Sequence, residues 1–315
     1  MKKSTRIVLS VATLATLSIH ILNKLESIKA MKKYNNSNDI KSLYPWQFGT
    51  ITYHVKGTGN PVLLIHSLNI GSSSKDFDKI VNDLSKTNTV YTIDLVGYGA
   101  SEKPNILYTN YLYTQLITDF IRDVITKKTN VIGIGDAAGI IVPICHKEKN
   151  LINDIVLINP ETVNNMNSTP TAKEILLKKF IHLPIFGTML YNIIGSELII
   201  KQNYKKLYYY NPLNVTEDEI SNNFISAHLN NYKAKYSYCC HVAGYTSVNI
   251  VHALKEINNN ITIISGSDIE NKDSINKSYK DLNPSIDIIE IPVTKAYPHM
   301  EDPKNVLHHL SYILK

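Results

Sequence analysis

Cysteine is scarce: Cys145, Cys239 and Cys240 are the three in 315 residues. Two of them are adjacent, a spacing that strains any bond between them, so no disulfide framework is encoded. They read as buried thiols filling apolar space. No spaced cysteine and histidine cluster points to zinc or another metal, and nothing in the sequence demands a cofactor. No basic run with interleaved aromatics occurs beyond the N-terminus. The formal charge of +6 is spread over lysines interleaved with Asp and Glu, which argues against nucleic acid as a partner. Trp46 is the single tryptophan, and G-x-S-x-G occurs nowhere. Internal repeats and low-complexity tracts are also missing.

What is present is enough for a large core. With 43% hydrophobic and 19% charged residues, the chain can build one domain with an insertion or two small domains. Its first residues stand apart. Lys2, Lys3 and Arg6 precede an apolar run from Ile7 to Leu22, broken only by Ser, Thr and His20, and Lys24, Lys29, Lys32 and Lys33 follow. This has the form of an export signal or an uncleaved anchor. No A-x-A cleavage site is evident, which favours a retained anchor over residues 1–33, and a membrane-associated, possibly exported protein. The run is shorter than the roughly 20 residues that span a hydrocarbon core. Basic residues flank both ends, leaving the orientation undecided. The alternative is an amphipathic helix packed on the rest of the chain.

From Trp46 onward strands and helices alternate. A hairpin is expected over 47–57, and a Gly-rich turn leads to the apolar run 61-PVLLIH-66. A short run with no polar face is what a strand covered on both sides requires. Similar runs follow at 89–95, 130–135, 154–159, 260–266 and 286–292. Helices are expected from about Asp76, over 111–126, 137–146 and 303–314. The interval 161–254 reads as helices and loops, with a helix start at Thr216 where Glu219 completes a capping box. Such an insertion caps the carboxyl ends of the strands, where ligands bind in these sheets. The expected organisation is therefore a core over 34–160 and 255–315 with a cap at 161–254, and a small apolar ligand or substrate beneath it.

Four patterns carry a family resemblance: 61-PVLLIHSLN-69, 94-DLVGYGASEKP-104, 131-VIGIGDAAG-139 and 294-TKAYPHMEDP-303. In order and spacing they resemble the α/β-hydrolase superfamily, nearest its epoxide hydrolase and haloalkane dehalogenase branch, from about residue 47 onward. The resemblance implies an α/β fold, a mostly parallel central sheet with helices on both faces and a helical cap. It also implies a nucleophile on a strand-to-helix turn, an acid after a later strand and a histidine after the last.

Here two of those three places hold groups that cannot do the chemistry. With Gly133 and Ala137 as the small flanks, the nucleophile position falls on Gly135. Aligning Pro298, Glu301 and Pro303 with the family's final segment puts Ala296 at the base. Asp268 matches the acid, and Glu161 is an alternative. A register shifted by one residue makes Asp136 the nucleophile, as in the dehalogenase branch, with His299 as a displaced base and backbone donors at Leu68 and Ala137. In the Gly135 register the second donor is the N–H of Asp136, whose own charge opposes an oxyanion. The expectation is hydrolysis that is weak or absent, and the alternative is an active hydrolase of ester, epoxide or haloalkane bonds using Asp136. His228 and His241 in the cap and His308 and His309 in the terminal helix read as surface or packing residues.

Overall fold

The computed structural model describes residues 3–35, 41–230 and 232–314. Its centre is an eight-stranded sheet: β1 (Ser42–Trp46), β2 (Gly49–Lys56), β3 (Asn60–Ile65), β4 (Asn88–Ile93), β5 (Thr129–Ile134), β6 (Ile152–Ile158), β7 (Ile261–Gly266) and β8 (Asp287–Ile291). The spatial order is β1-β2-β4-β3-β5-β6-β7-β8. β1 pairs antiparallel with β2, and β2 with β4. From β4 to β8 every pairing is parallel. The expected hairpin is therefore β1 with β2, beginning earlier than Trp46, and β2 lies against β4 instead of the run that follows it.

The apolar runs have no polar face because helices cover both sides. Leu63, Val131, Leu157 and Ile263 pack into one buried cluster. Their neighbours Leu64, Ile132, Val156 and Ile264 pack into the other. Every residue of β5 is buried, and each such aliphatic side chain contributes about 1.5–3 kcal/mol relative to exposure.

The crossover helices are α2 (Asp78–Leu84), α3 (Asn110–Phe120) and α4 (Ala138–Lys147), preceded in the chain by α1 (Lys3–Asn35). Next come α5 (Val163–Met166), α6 (Ala172–His182), α7 (Phe186–Ile194), α8 (Glu197–Asn203), α9 (Glu217–His228) and α10 (Lys235–Val242). No strand occurs among the described residues of 161–254. α9 begins as its sequence requires: Thr216 Oγ1 accepts from the Glu219 N–H at 3.3 Å, and Glu219 Oε2 accepts from the Thr216 N–H at 2.8 Å. α11 (Val251–Glu256), α12 (Lys272–Leu282), α13 (Pro298–Glu301) and α14 (Pro303–Ile313) complete the chain.

α1 gives no support to a transmembrane reading of the N-terminal anchor. Among the described residues no helix is long and apolar enough to cross a membrane. At 1.5 Å per residue the run from Ile7 to Leu22 reaches about 24 Å, short of the roughly 30 Å hydrocarbon core. Lys2 lies outside the described residues, as do the side chains of Lys3 and Arg6.

The two halves of α1 differ. In the second, Asn23, Ser27 and Ala30 lie on one face and are buried. Asn23 donates to the Ile185 carbonyl at 3.1 Å and Ser27 to the His228 carbonyl at 3.3 Å. Lys29 and Lys33 both pair with Glu197. In the first half Ile7, Leu9, Val11, Leu14 and Leu17 are each more than half exposed.

Candidate functional site

The site is built at the carboxyl ends of β3 and β5. β3 runs into His66, which is fully buried and fixed by its neighbours: the Leu95 N–H donates to Nε2 at 3.1 Å. That leaves the proton on Nδ1, which donates to the Ser67 carbonyl at 2.6 Å. Burial holds this imidazole below its usual pKa, so it stays neutral. The loop beyond is tied by Tyr98, whose hydroxyl donates to the Leu68 carbonyl at 2.8 Å, and by a 2.9 Å contact between the Ser67 and Ser72 hydroxyls. The D-x-x-G-x-G-x-S stretch proves to be a brace. Asp94 accepts from the backbone N–H groups of Ser74 and Ala100, both at 2.7 Å. Ser101 donates to the Asp94 carbonyl at 2.6 Å.

β5 ends in a sharp turn whose apex is Gly135. Its φ of +54° is left-handed, the strained geometry of a nucleophile-bearing turn, and Asp136 follows in a 3₁₀ turn leading into α4. A Cβ on Gly135 would meet just one atom within 4 Å, Ser67 Cβ at 3.7 Å. On Gly133 it would lie 2.5 Å from Ile141 Cδ1 and 2.8 Å from Ala137 Cβ. The crowded small positions are therefore Gly133 and Ala137, and Gly135 is the residue with the positive φ. Asp136 turns its carboxylate toward the loop after β3: Oδ2 accepts from the Leu68 N–H at 3.3 Å. His241, on α10 of the cap, brings Nε2 to 3.8 Å from that same oxygen. His241 Nδ1 lies 2.8 Å from Thr246 Oγ1.

Around these groups is a cavity of about 370 Å³, lined by Ser67, Gly135, Asp136, Glu161, Tyr208, His241, Ala296 and Tyr297 among others. Among the described residues neither lysine nor arginine lines it, whereas Asp136, Glu161 and Glu270 do. The Tyr208 and Tyr297 rings meet at its wall in a tilted pair, centroids 4.8 Å apart and planes inclined by 46°. Asn159, in a left-handed conformation at the end of β6, donates to the carbonyls of Lys295 and Ala296 at 3.0 and 2.8 Å and so fixes the last loop.

The remaining sequence candidates are dispersed. His299 is fully buried and does not line the cavity. Its Nε2 contacts the Asp76 carbonyl at 3.1 Å, its ring lies against Phe77, and burial pushes its pKa down to about 3. It is thus a neutral packing residue, contrary to the displaced-base expectation. Asp268 is exposed outside the cavity, its N–H donating to the Thr294 carbonyl at 3.0 Å. Ala137 is buried at the start of α4, one residue beyond the apex-adjacent N–H of Asp136. Reasoning from sequence placed His241 on the surface or in packing and passed over Tyr208 and Tyr297. Cap residues have no fixed spacing to the core, so no periodicity could bring them to the site.

No family model matches the chain. Among curated proteins it is 31% identical over 147 residues to a 2-hydroxy-6-oxo-6-(2'-aminophenyl)hexa-2,4-dienoic acid hydrolase of Metapseudomonas resinovorans, covering 44% of this chain and 47% of that one. It is 25% identical over 118 residues to an uncharacterized protein of Mycobacterium tuberculosis, covering 36% and 34%. The matched stretches span less than half of either relative's length. Among solved structures, epoxide hydrolase CorEH superposes with a TM-score of 0.71 at 15% identity, covering 87% of this chain and 98% of that one. The meta-cleavage product hydrolase CumD gives 0.68 at 17%, covering 87% and 98%. The chain has the α/β-hydrolase fold. Gly135 stands on the tight turn that ends β5, and Ala296 lies in the loop after the last strand.

Proposed function

We propose that this α/β-hydrolase-fold protein is a ligand-binding member that does not hydrolyse esters, and that its cavity takes a small cationic molecule. The observation that carries the reading is the Asp136 carboxylate 3.3 Å from the Leu68 N–H. An oxyanion hole works by aiming preorganised donors at developing negative charge. Here a fixed negative charge already occupies such a donor. Gly135 carries no side chain to attack with, and Ala296 cannot move a proton. A cavity with Asp136, Glu161 and Glu270, no lysine or arginine among the described residues, and two tyrosine rings suits an amine, which can be paired by carboxylates and stacked on aromatic faces. That lining also favours a polar ligand over the small apolar one expected under the cap. The test pairs two assays on the full chain: p-nitrophenyl acetate turnover, and calorimetry with putrescine against butane-1,4-diol. Turnover at background with putrescine binding that Asp136→Asn weakens at least tenfold supports the reading.

The competing reading is hydrolysis of an ester, epoxide or haloalkane bond with Asp136 as nucleophile. What favours it is His241, 3.8 Å from Asp136 and able to activate water in place of the missing loop histidine. Turnover abolished by both Asp136→Asn and His241→Ala would establish it.

We also propose that α1 holds the protein at a membrane surface without a full span. Apolar side chains exposed around its first half are costly in water. Leu183 and Phe186 are exposed beside Ile185, the Asn23 contact, so cap and helix offer adjoining apolar surface. Lys24, Lys32, Lys178 and Lys179 supply charge for anionic headgroups. The full chain should sediment with phosphatidylglycerol vesicles, and a chain beginning at residue 23 should stay in the supernatant. Equal partitioning of both would end the proposal.

A further inference from the structure

At the opposite end of the sheet, away from the cavity, α4 and α11 pack together and bring three potential metal ligands to one point. His146 lies in the last turn of α4, and His252 and Glu256 stand one turn apart on α11. His146 Nε2 is 2.8 Å from Glu256 Oε2, and His252 Nε2 is 3.3 Å from Glu256 Oε1. One ligand atom from each of the three lies within 4.8 Å of the others. No local spacing reveals the cluster, because His146 is far along the chain from the other two.

We propose that these three side chains form a site for zinc or a similar borderline divalent cation. Two imidazole nitrogens and a carboxylate oxygen are a donor set suited to such a metal. Bonds of about 2.0–2.1 Å in a tetrahedron put neighbouring donors about 3.3 Å apart. The two contacts to Glu256, at 2.8 and 3.3 Å, lie near that value, and all three ligand atoms are within 4.8 Å of one another. The two rings turn one nitrogen each toward different oxygens of the same carboxylate, so the three groups already converge on one point. A cation between them satisfies all three groups through lone pairs. His252 and Glu256 are 76% and 52% exposed, so the fourth position faces solvent and takes water. The adjacent cavity of about 500 Å³, lined also by Asn153, Asp154, Lys128 and Lys149, leaves room for that water. Lys128 and Lys149 oppose a cation, which limits affinity to the micromolar range expected of an exposed three-ligand site.

Such a metal would staple α4 to α11. The experiment is calorimetric titration of chelator-stripped full-length protein with zinc chloride, with magnesium chloride as control. One zinc bound at micromolar affinity, no magnesium heat, and a loss of at least tenfold in both His146→Ala and His252→Gln support the site. His252 is exposed enough that its substitution leaves the core intact, and circular dichroism melting verifies folding of both variants. Absence of zinc binding overturns the proposal. So does equal affinity in folded variants, or magnesium binding as tight as zinc.

Discussion

Asp76 and His299 meet through one backbone carbonyl and pull stability in opposite directions with pH. Asp76 is buried with Oδ2 unpartnered among the described residues, and burial pushes its carboxyl up to about 8. The unfolded carboxyl titrates near 3.9. The raised folded value means that stability is lost as pH rises from about 4 to about 8. Asp76→Asn should therefore stabilise the fold by more at pH 8 than at pH 5, as read from urea midpoints. For His299 the folded value near 3 lies below the unfolded value of about 6.5. Its stability contribution is intact above that pH and is lost as pH falls toward 3. Replacing it with Gln should flatten the acid limb of the same titration. At the elbow, Gly135→Ser with Ala296→His should create weak p-nitrophenyl esterase activity, because a side chain at 135 has open space. The backbone strain costs about 1–2 kcal/mol. Adding Asp136→Ala should raise the rate further by freeing the Leu68 donor. Gly135 was legible in the sequence because its small neighbours are a steric necessity. The Asp136 contacts were not, since they depend on where a loop and a cap helix come to rest.

Among elements, the ones with local causes were readable. The Thr216 and Glu219 capping box, the buried runs of β3 and β5, and the final helix after Pro303 all follow from short-range chemistry. β1 was missed: it contains Pro45, which is tolerated because the strand lies at the sheet edge. α1 was legible as a helix, but its apolar run is silent about the packed half that follows. That half buries Asn23, Ser27 and Ala30 against α7 and α9. A chain beginning at residue 23 should melt within a degree or two of the full protein. One beginning at residue 41 should melt several degrees lower by scanning calorimetry, having lost those contacts and both lysine pairs to Glu197.

For the whole molecule, sheet class and parallel order were legible because covered strands have no polar face. The site was half legible: its core wall came from motifs, while the cap wall of Tyr208 and His241 came from tertiary packing. Excising 1–40 together with 161–249, bridged by a short Gly-Ser linker, should leave a sheet that still unfolds cooperatively by circular dichroism, since both buried clusters are anchored on strands. Loss of a cooperative transition would show that cap and core fold as one unit. Gly135 has a practical consequence as well. Fluorophosphonate probes, used to inventory serine hydrolases in cell extracts, report by bonding to an elbow hydroxyl. Gly135 offers them none at that turn, so on the proposed reading profiling of that kind passes over this protein however abundant it is, and its detection in tissue or culture rests on antibodies or on non-covalent ligands.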